Sequence, residues 1–337
     1  MLPETMRWNE KEYALELLDQ RALPGEVKFV VCKTSEEVAC AIENMTVRGA
    51  PAIGACAAYG LAIAAREGRR AFDKAFLRLA QTRPTAVHLF WSLERMQRAA
   101  FQFSGKEFFK AALNEANAIF SEDIEINKSL SRFGAELLPQ NATVLTHCNA
   151  GSIATCGVGT ALGVLREARA QGKNIKVYAD ETRPRLQGAK LTAWELEQDG
   201  FDVTLITDSM AAFLMSQKKI DAVIVGADRV ANNGDTANKI GTYALAIAAK
   251  YHGVPFYAAV PFSTIDVSCN TGADIPVEMR SQDEVRRVGS ELITTSDMKT
   301  WNPAFDITPS VLISGIITEH GVAKAPYNLR KFMEENR

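Results

Sequence analysis

Apolar residues recur at helical spacing through the first 137 residues, and strand-like patterns are scarce there. Polar or proline-bearing breaks separate the apolar stretches, and Pro139 follows the longest of them. This periodicity predicts amphipathic helices. The predicted helices span residues 36–44, 51–66, 71–80, 87–103 and 106–137, and the last of them is long enough to connect two domains.

After residue 143 short apolar runs alternate with helical stretches. The runs lie at 143–147, 175–179, 203–207, 222–226, 255–260 and 312–318. The helical stretches lie at 159–171, 192–198, 210–218 and 243–251. This alternation is typical of a parallel sheet covered by helices, so the sequence predicts an α/β fold. Because 337 residues exceed the usual size of one core, we expect two domains, at 1–125 and 126–337.

Dense polar or glycine-bearing stretches follow nearly every predicted strand directly. They lie at 148–152, 180–183, 208–209, 227–229 and 261–264. Ligands of open α/β sheets bind outside the carboxyl ends of the strands. We therefore expect these stretches to converge on one crevice that forms the functional site.

Two of these stretches carry side chains suited to proton transfer or nucleophilic chemistry. Cys148 is followed by four residues whose backbone N–H groups could bind an anion and lower the pKa of the thiol. Asp228 leaves an apolar strand, where desolvation would raise the pKa of its carboxyl group. The alternatives are a small buried hydrophobe for Cys148 and, for Asp228, a helix cap or a salt bridge with Arg229.

Cationic residues next to glycine-rich or polar turns could bind a phosphate. Residues 232–239 form a predicted polar loop that ends in Lys239, just before a predicted helix. Arg48 precedes a glycine-rich helix start, and Arg83 precedes Pro84. The alternative is a solvated turn for the loop and surface positions for the arginines.

Charge and cysteine content exclude several functions. Lys plus Arg total 38 against 40 acidic residues, a net charge of -2, so no global field attracts nucleic acid or an anionic membrane. The six cysteines lack metal-binding spacing and are typical of free thiols in the cytoplasm. Charged residues among the first twenty disfavour a secretory signal, and the uncharged run 49–65 is too short to span a membrane.

A dinucleotide fold is the main alternative from another class. Gly157, Gly159 and Gly163 resemble its glycine pattern, and Asp180 could accept a ribose hydroxyl. The fingerprint should begin at the end of the first strand, however, whereas here eight residues, 148–155, intervene. This spacing argues against nicotinamide binding.

Seven blocks between Thr46 and Tyr327 together resemble the S-methyl-5-thioribose-1-phosphate isomerases of methionine salvage. They are RGAPAIG at 48–54, RPTAV at 83–87, THCNAGS at 146–152, ETRP at 181–184, QG at 187–188, GADR at 226–229 and NKIGT at 238–242. The resemblance implies a smaller, mainly helical N-terminal domain with a small sheet, a Rossmann-like C-terminal domain, a homodimer, and neither metal nor organic cofactor. It also implies that the partner is a small sugar phosphate.

The resemblance assigns roles to individual residues. It implies that Cys148 and Asp228 are catalytic. It implies that the substrate is bound by Arg48, Gly49, Ala50, Arg83, Gln187, Asn238 and Lys239. His88 stands where the family pattern has asparagine, and Cys156 where alanine is common. The same scaffold resembles isomerases of 5-deoxyribose 1-phosphate and ribose 1,5-bisphosphate, and regulatory subunits of the translation-initiation exchange factor, which are binding modules.

Overall fold

The structure is a computed structural model that describes residues 2–83 and 86–336. Its chain divides into two compact units. The first unit contains Met1–Lys128 together with Ala150–Gly159, and the second contains Ser129–Asn149 together with Thr160–Arg337. The segment Ala150–Gly159 thus belongs to the first unit although both its neighbours along the chain belong to the second.

Helices dominate the first unit and alternate with strands in the second. The α-helices are α1 (Ser35–Glu43), α2 (Ala50–Ala65), α3 (Arg69–Ala80), α4 (Val87–Ala100), α5 (Lys106–Glu136), α6 (Ala161–Ala170), α7 (Trp194–Gln198), α8 (Ala211–Ser216), α9 (Thr242–His252), α10 (Asp283–Arg286) and α11 (Leu329–Glu335). A π-helical turn, Gly188–Ala193, leads into α7. Every helix predicted from the apolar spacing is present, with ends shifted by a few residues.

Among the described residues, the strands form four sheets. The strands are β1 (Met6–Asn9), β2 (Ala14–Leu18), β3 (Phe29–Cys32), β4 (Asn141–Thr146), β5 (Asn174–Asp180), β6 (Asp202–Ile206), β7 (Ala222–Val225), β8 (Arg229–Ala231), β9 (Thr236–Lys239), β10 (Phe256–Ala259), β11 (Ile265–Asp266), β12 (Arg287–Val288), β13 (Glu291–Leu292), β14 (Phe305–Thr308), β15 (Gly315–Thr318) and β16 (Gly321–Ala323). The small antiparallel sheet β1-β2-β3 is the N-terminal sheet that the resemblance implied.

Helix α2 is the centre of the first unit, because every residue from Pro51 to Ala65 is buried. Its sequence is rich in alanine and glycine, which lets neighbouring helices approach its backbone closely. A Cβ atom added at Gly54 would lie 2.5 Å from the side chains of both His88 and Ser92 on α4. The small residues of α2 are therefore required by helix packing.

A seven-stranded sheet in the order β16-β15-β10-β7-β4-β5-β6 forms the second unit. All its pairs are parallel except β15 with β16. The central strand β7 is buried along its whole length, as its uninterrupted apolar sequence requires. This is the predicted α/β architecture, and none of the helices within the described residues is long and apolar enough to cross a membrane.

The predicted polar loop 232–239 is partly wrong, because Thr236–Lys239 forms strand β9. This strand lies in a second sheet of order β11-β8-β9-β14 and pairs antiparallel with β8 and β14. All four of its side chains are buried. Burial of such a polar strand requires hydrogen-bond partners. The partner strand β14 and the acceptor of Lys239, the carbonyl oxygen of Ala304, lie far away in the sequence, so the local pattern resembles a turn.

Candidate active site

Cys148 and Asp228 follow adjacent parallel strands of the main sheet. Strand β4 pairs with β7, with Leu145 opposite Val223. Strand β4 ends at Thr146 and β7 ends at Val225, so Cys148 and Asp228 both come shortly after the carboxyl ends of these strands. Because neighbouring strands lie about 4.8 Å apart, both residues come from the same end of the sheet, where the carboxyl ends of its parallel strands lie. Both residues thus come from the end of the sheet where the sequence analysis expected the site, and their catalytic roles stay predictions.

Cys148 has a left-handed backbone conformation, with φ 65°. Its N–H donates to Oγ1 of Thr182 over 2.8 Å, and its carbonyl oxygen accepts from Oγ1 of Thr192 over 2.6 Å. The residue is half-buried, in contrast with the fully buried Cys56 and Cys156. A small core hydrophobe would not need this conformation, so the geometry favours the reactive interpretation.

Asp228 lies half-buried between the end of β7 and the start of β8. Its backbone N–H donates to the carbonyl oxygen of Ala237 over 2.9 Å, which anchors the turn to β9. The neighbouring Arg229 lies 3.3 Å from the carboxylate of Asp266. Arg229 thus has a carboxylate partner on β11, and the helix-cap alternative does not apply because β8, not a helix, follows Asp228.

His147 is a buried residue directly after β4. The sequence analysis did not predict that it pairs with Asp180. Its Nδ1 lies 3.0 Å from Oδ2 of Asp180, and its Nε2 lies 2.9 Å from the carbonyl oxygen of Ile240. Burial lowers the pKa of His147, but the hydrogen bond and charge of Asp180 outweigh it, so the net shift is upward. Register could have revealed the pair, because Thr146 lies opposite Ala179 in β4 and β5.

Asp180 cannot serve as the ribose acceptor of a dinucleotide. Its side chain is only 2% exposed, and one carboxylate oxygen faces His147. Burial is the main effect raising the pKa of this carboxyl group. The structure therefore supplies a second argument against nicotinamide binding, independent of the glycine spacing.

Gln187 is a predicted substrate-binding residue that the structure buries with an unused acceptor. It is 7% exposed, and its Oε1 has no hydrogen-bond partner among the described residues. The π-helical turn that begins at Gly188 passes very close to β5, since a Cβ atom there would lie 1.6 Å from the carbonyl oxygen of Asp180. Gln187 thus lies beside the carboxyl end of β5.

Asn238 and Lys239 are buried in β9. Nδ2 of Asn238 donates to Oγ1 of Thr242 over 3.0 Å. Nζ of Lys239 donates to the carbonyl oxygen of Ala304 over 2.9 Å and lies 4.4 Å above the ring of Phe305. Their roles in binding stay predictions.

The N-terminus of α9, next to Lys239, already holds a carboxylate. Asp306 accepts from the N–H of Gly241 over 2.8 Å and from that of Tyr243 over 3.1 Å. We expected this helix start to suit a phosphate. Because Asp306 accepts from two N–H groups at the start of α9, this helix end has fewer donors for a phosphate than predicted. Lys239 still supplies a positive charge beside it.

Arg48, Gly49 and Ala50 form the start of α2 in the first unit. Gly49 has φ 100°, and a Cβ atom there would lie 2.2 Å from the carbonyl oxygen of Ala154. Only glycine fits both the backbone conformation and this approach. The glycine-rich pattern thus reflects close contact with segment Ala150–Gly159.

A buried acid fixes the same segment. Oδ2 of Asp123 on α5 accepts from the N–H of Cys156 over 2.7 Å. Burial raises the pKa of Asp123 to about 6 and raises the pKa of the Cys156 thiol well above its ordinary value. Cys156 therefore remains a protonated, buried thiol at neutral pH.

Arg83 is half-buried, and its Nη1 lies 3.5 Å from Sδ of Met45. Pro84 and Thr85, the next two residues of the predicted RPTAV motif, lie outside the described residues. Arg48 and Arg83 belong to the first unit, whereas Cys148, Gln187, Asp228, Asn238 and Lys239 belong to the second.

Within the described residues, His147, Asp180 and Asp208 form a group whose potential metal-ligand atoms lie within 4.8 Å of one another. Their hydrogen bonds account for this proximity. Asp208 accepts from the N–H groups of Thr182 and Arg183, each over 2.8 Å. Nδ1 of His147 faces Asp180, so we interpret the group as a hydrogen-bonded network.

The chain is similar to proteins of known family along nearly its whole length. The model of the initiation factor 2 subunit family matches residues 46–325. The methylthioribose-1-phosphate isomerase of Carboxydothermus hydrogenoformans is 55% identical, over 97% of this chain and 98% of that protein.

Two solved structures share the fold. The 5-methylthioribose 1-phosphate isomerase from Pyrococcus horikoshii is 46% identical, with a TM-score of 0.92 over 99% of this chain and 97% of that one. The translation initiation factor eIF-2B, subunit delta, from A. fulgidus is 44% identical, with a TM-score of 0.88 over 99% of this chain and 100% of that one. The chain therefore belongs to the initiation factor 2 subunit family and, within it, to the methylthioribose-1-phosphate isomerases.

Proposed function

We propose that the protein converts S-methyl-5-thio-α-D-ribose 1-phosphate into S-methyl-5-thio-D-ribulose 1-phosphate in methionine salvage, with Cys148 and Asp228 as catalytic residues. The activity rests on the identity to isomerases over nearly the full length. The residue roles rest on one observation, the placement of a thiol and a carboxyl group after adjacent parallel strands.

The substrate determines what these groups must do. Its anomeric oxygen carries the phosphate, so the ring cannot open to a free aldehyde. Asp228, protonated, donates its proton to the ring oxygen as the bond between that oxygen and C1 breaks. The resulting carboxylate then accepts the proton of the C2 hydroxyl as the ketone forms. Asp228 is thus restored to its starting state at the end of the cycle.

A hydrogen must also move from C2 to C1, and two routes are open. In the first, Cys148 as a thiolate removes the C2 hydrogen as a proton and returns it to C1 through an enolate. In the second, the hydrogen moves directly as hydride while the thiolate stabilises the cationic intermediate. Label at C1 of the product after turnover in deuterium oxide would demonstrate the first route. Absence of label would count only against a proton carrier that exchanges freely with solvent.

Binding of the substrate is proposed for the remaining residues implied by the resemblance. Arg48, Arg83 and Lys239 supply positive charge for charge-assisted hydrogen bonds to the phosphate. Gln187 supplies a buried acceptor with no protein partner among the described residues, which suits a sugar hydroxyl. Gly49, Ala50 and Asn238 complete the proposed set, with backbone and amide donors.

Substitution of the two catalytic residues tests this assignment. We expect Cys148→Ser and Asp228→Asn each to lower kcat by about 100-fold or more, because each removes a group that transfers or stabilises the moving hydrogen. Cys40→Ser, at an exposed cysteine, serves as the matched control and should keep wild-type kcat. A Cys148→Ser, Asp228→Asn double variant with wild-type turnover would refute the roles but leave the activity intact.

Substrate choice separates the proposed activity from its relatives. The comparison is kcat/KM for the methylthio sugar phosphate against 5-deoxyribose 1-phosphate and ribose 1,5-bisphosphate, with His88→Asn as a second enzyme. We expect the methylthio sugar to give the highest value. Turnover of none of the three would favour a binding role, since the similar A. fulgidus protein is a translation initiation factor subunit.

The assembly and location of the protein are also proposals. The resemblance implies a homodimer, which light scattering of the purified protein tests directly. Six free thiols fit the reducing cytoplasm.

A further inference from the structure

The backbone of Cys148 adopts a conformation that few residues other than glycine adopt, and two threonines hold it. Its φ of 65° lies in the left-handed region. A left-handed residue at the end of β4 changes the direction of its Cα–Cβ bond relative to the strand. Such conformations persist only where the surroundings fix them, and they cluster at functional sites.

Each threonine hydroxyl donates one hydrogen bond and accepts one around Cys148. Oγ1 of Thr182 accepts from the N–H of Cys148 over 2.8 Å and donates to the carbonyl oxygen of Asp180 over 3.1 Å. Oγ1 of Thr192 donates to the carbonyl oxygen of Cys148 over 2.6 Å and accepts from Nδ2 of Asn149 over 3.0 Å. The two hydroxyls therefore have fixed orientations and bind both backbone groups of Cys148.

Thr182 and Thr192 form a clamp on Cys148, and neighbouring residues support this clamp through further hydrogen bonds. Thr182 and Thr192 are fully buried. Thr182 is itself left-handed, with φ 62°, and its N–H donates to Oδ1 of Asp208 over 2.8 Å. Nδ2 of Asn149 also donates to Oε2 of the buried Glu195 over 3.1 Å. A carboxylate thus binds the backbone of Thr182 directly, and a second carboxylate supports Thr192 through the amide of Asn149.

We propose that Thr182 and Thr192 are positioning residues that hold Cys148 in its left-handed conformation and so keep its thiol in the orientation that isomerisation needs. This inference rests on the proposed function of Cys148. Neither hydroxyl acts on the substrate; both act through the backbone of the residue that does.

Valine is the sharpest substitution because it keeps the shape of threonine and removes only the hydroxyl. We expect Thr182→Val and Thr192→Val to lower kcat by about 10- to 100-fold with little change in KM, as misplacement of a reacting group does. Thr182→Ser and Thr192→Ser keep the hydroxyl and should restore most of the activity. Thr308→Val is the matched control, since Thr308 is fully buried and its Oγ1 has no hydrogen-bond partner among the described residues.

Alkylation of Cys148 gives a readout that does not depend on turnover. The rate of modification by iodoacetamide is measured across pH on the full-length protein without substrate, with peptide mass spectrometry to isolate Cys148 from the other five cysteines. We expect the valine variants to change the rate constant by about threefold or more, because thiol reactivity depends on its surroundings and access. The serine variants and Thr308→Val should match the wild type.

Valine variants that fold, alkylate with the wild-type rate and pH profile, and keep wild-type kcat would overturn the proposal. If circular dichroism shows that they do not fold, Asp208→Asn decides instead, because it weakens the support of Thr182 at a partly exposed side chain. An unchanged alkylation profile in that variant is then the refuting result. If the wild type fails to isomerise the sugar phosphate, the proposed function is wrong. The alkylation profiles still test whether Thr182 and Thr192 position Cys148, so failure of the function and failure of the positioning role remain distinguishable.

Discussion

His88 and Asp123 are buried ionisable residues of the first unit that the proposed chemistry does not use. His88 lies on α4 with its ring 5.0 Å from that of Trp91, and its Nδ1 is buried with no hydrogen-bond partner among the described residues. Asp123 holds the N–H of Cys156. Burial shifts both pKa values in the direction that favours the neutral form, so the two residues respond to pH in opposite ways.

His88 should make the protein sensitive to acid. Burial lowers its pKa from 6.5 to about 4, so its contribution to stability is complete above pH 6.5 and is lost as the pH falls towards 4. The loss amounts to about 2–3 kcal/mol in the free energy of unfolding. We expect His88→Asn to show that much less destabilisation between pH 7.5 and 4.5 in urea titrations. His252→Asn, at a partly exposed histidine, should behave as the wild type.

Asp123 should make the protein less stable as the pH rises. Burial raises its pKa from 3.8 to about 6, so its contribution is complete below pH 3.8 and is lost as the pH rises through 6. Asn keeps an oxygen for the N–H of Cys156 without the buried charge. We expect Asp123→Asn to raise the free energy of unfolding at pH 7.5 by up to about 3 kcal/mol, with the gain shrinking towards pH 4. Asp73→Asn, at an exposed position, is the control, and an equal effect there would contradict burial as the cause.

At the scale of elements, the starts of α2 and α3 allow backbone strain to be separated from steric clash. Gly49 and Gly68 each precede a helix with φ 100°. A Cβ atom at Gly49 would lie 2.2 Å from the carbonyl oxygen of Ala154, whereas none of the described atoms lies within 4 Å of one at Gly68.

We expect Gly68→Ala to cost about 1 kcal/mol, through backbone strain alone. Gly49→Ala should cost about 2 kcal/mol more, because the segment around Ala154 must also move. Urea denaturation of both variants measures the difference. Equal costs would mean that the contact with Ala154 has no energetic weight.

The elements that the sequence predicted correctly are those whose burial is visible locally. The helices show apolar residues at helical spacing, and β7 shows an uninterrupted apolar run. Strand β9 was missed because its pairing partner β14 and the acceptor of Lys239, the carbonyl oxygen of Ala304 65 residues away, are distant in the sequence. The pattern along the chain carries no record of such a partner.

At the scale of the whole molecule, the α/β architecture followed from the change of period near residue 143, and the sheet order did not. Only the sheet order shows that β4 lies between β5 and β7, and hence that Asp180 at the end of β5 and Cys148 and Asp228 after β4 and β7 come from neighbouring strands. The register of β4 with β5 explains His147, which sequence alone gives no reason to pair with Asp180. Residue roles came instead from motifs, because short polar blocks in fixed order are more specific than periodicity.

The segment Ala150–Gly159 has a consequence for any attempt to dissect the protein. Its ten residues pack with the first unit, while the strand before it and the helix after it belong to the second. A fragment beginning at Ser129 would carry these ten residues but would lack Gly49, which precedes α2, and Asp123 on α5, which contact them. Cys148 lies two residues upstream of them, so such a fragment would loosen the loop beside the proposed catalytic thiol, and the polypeptide has to be studied intact.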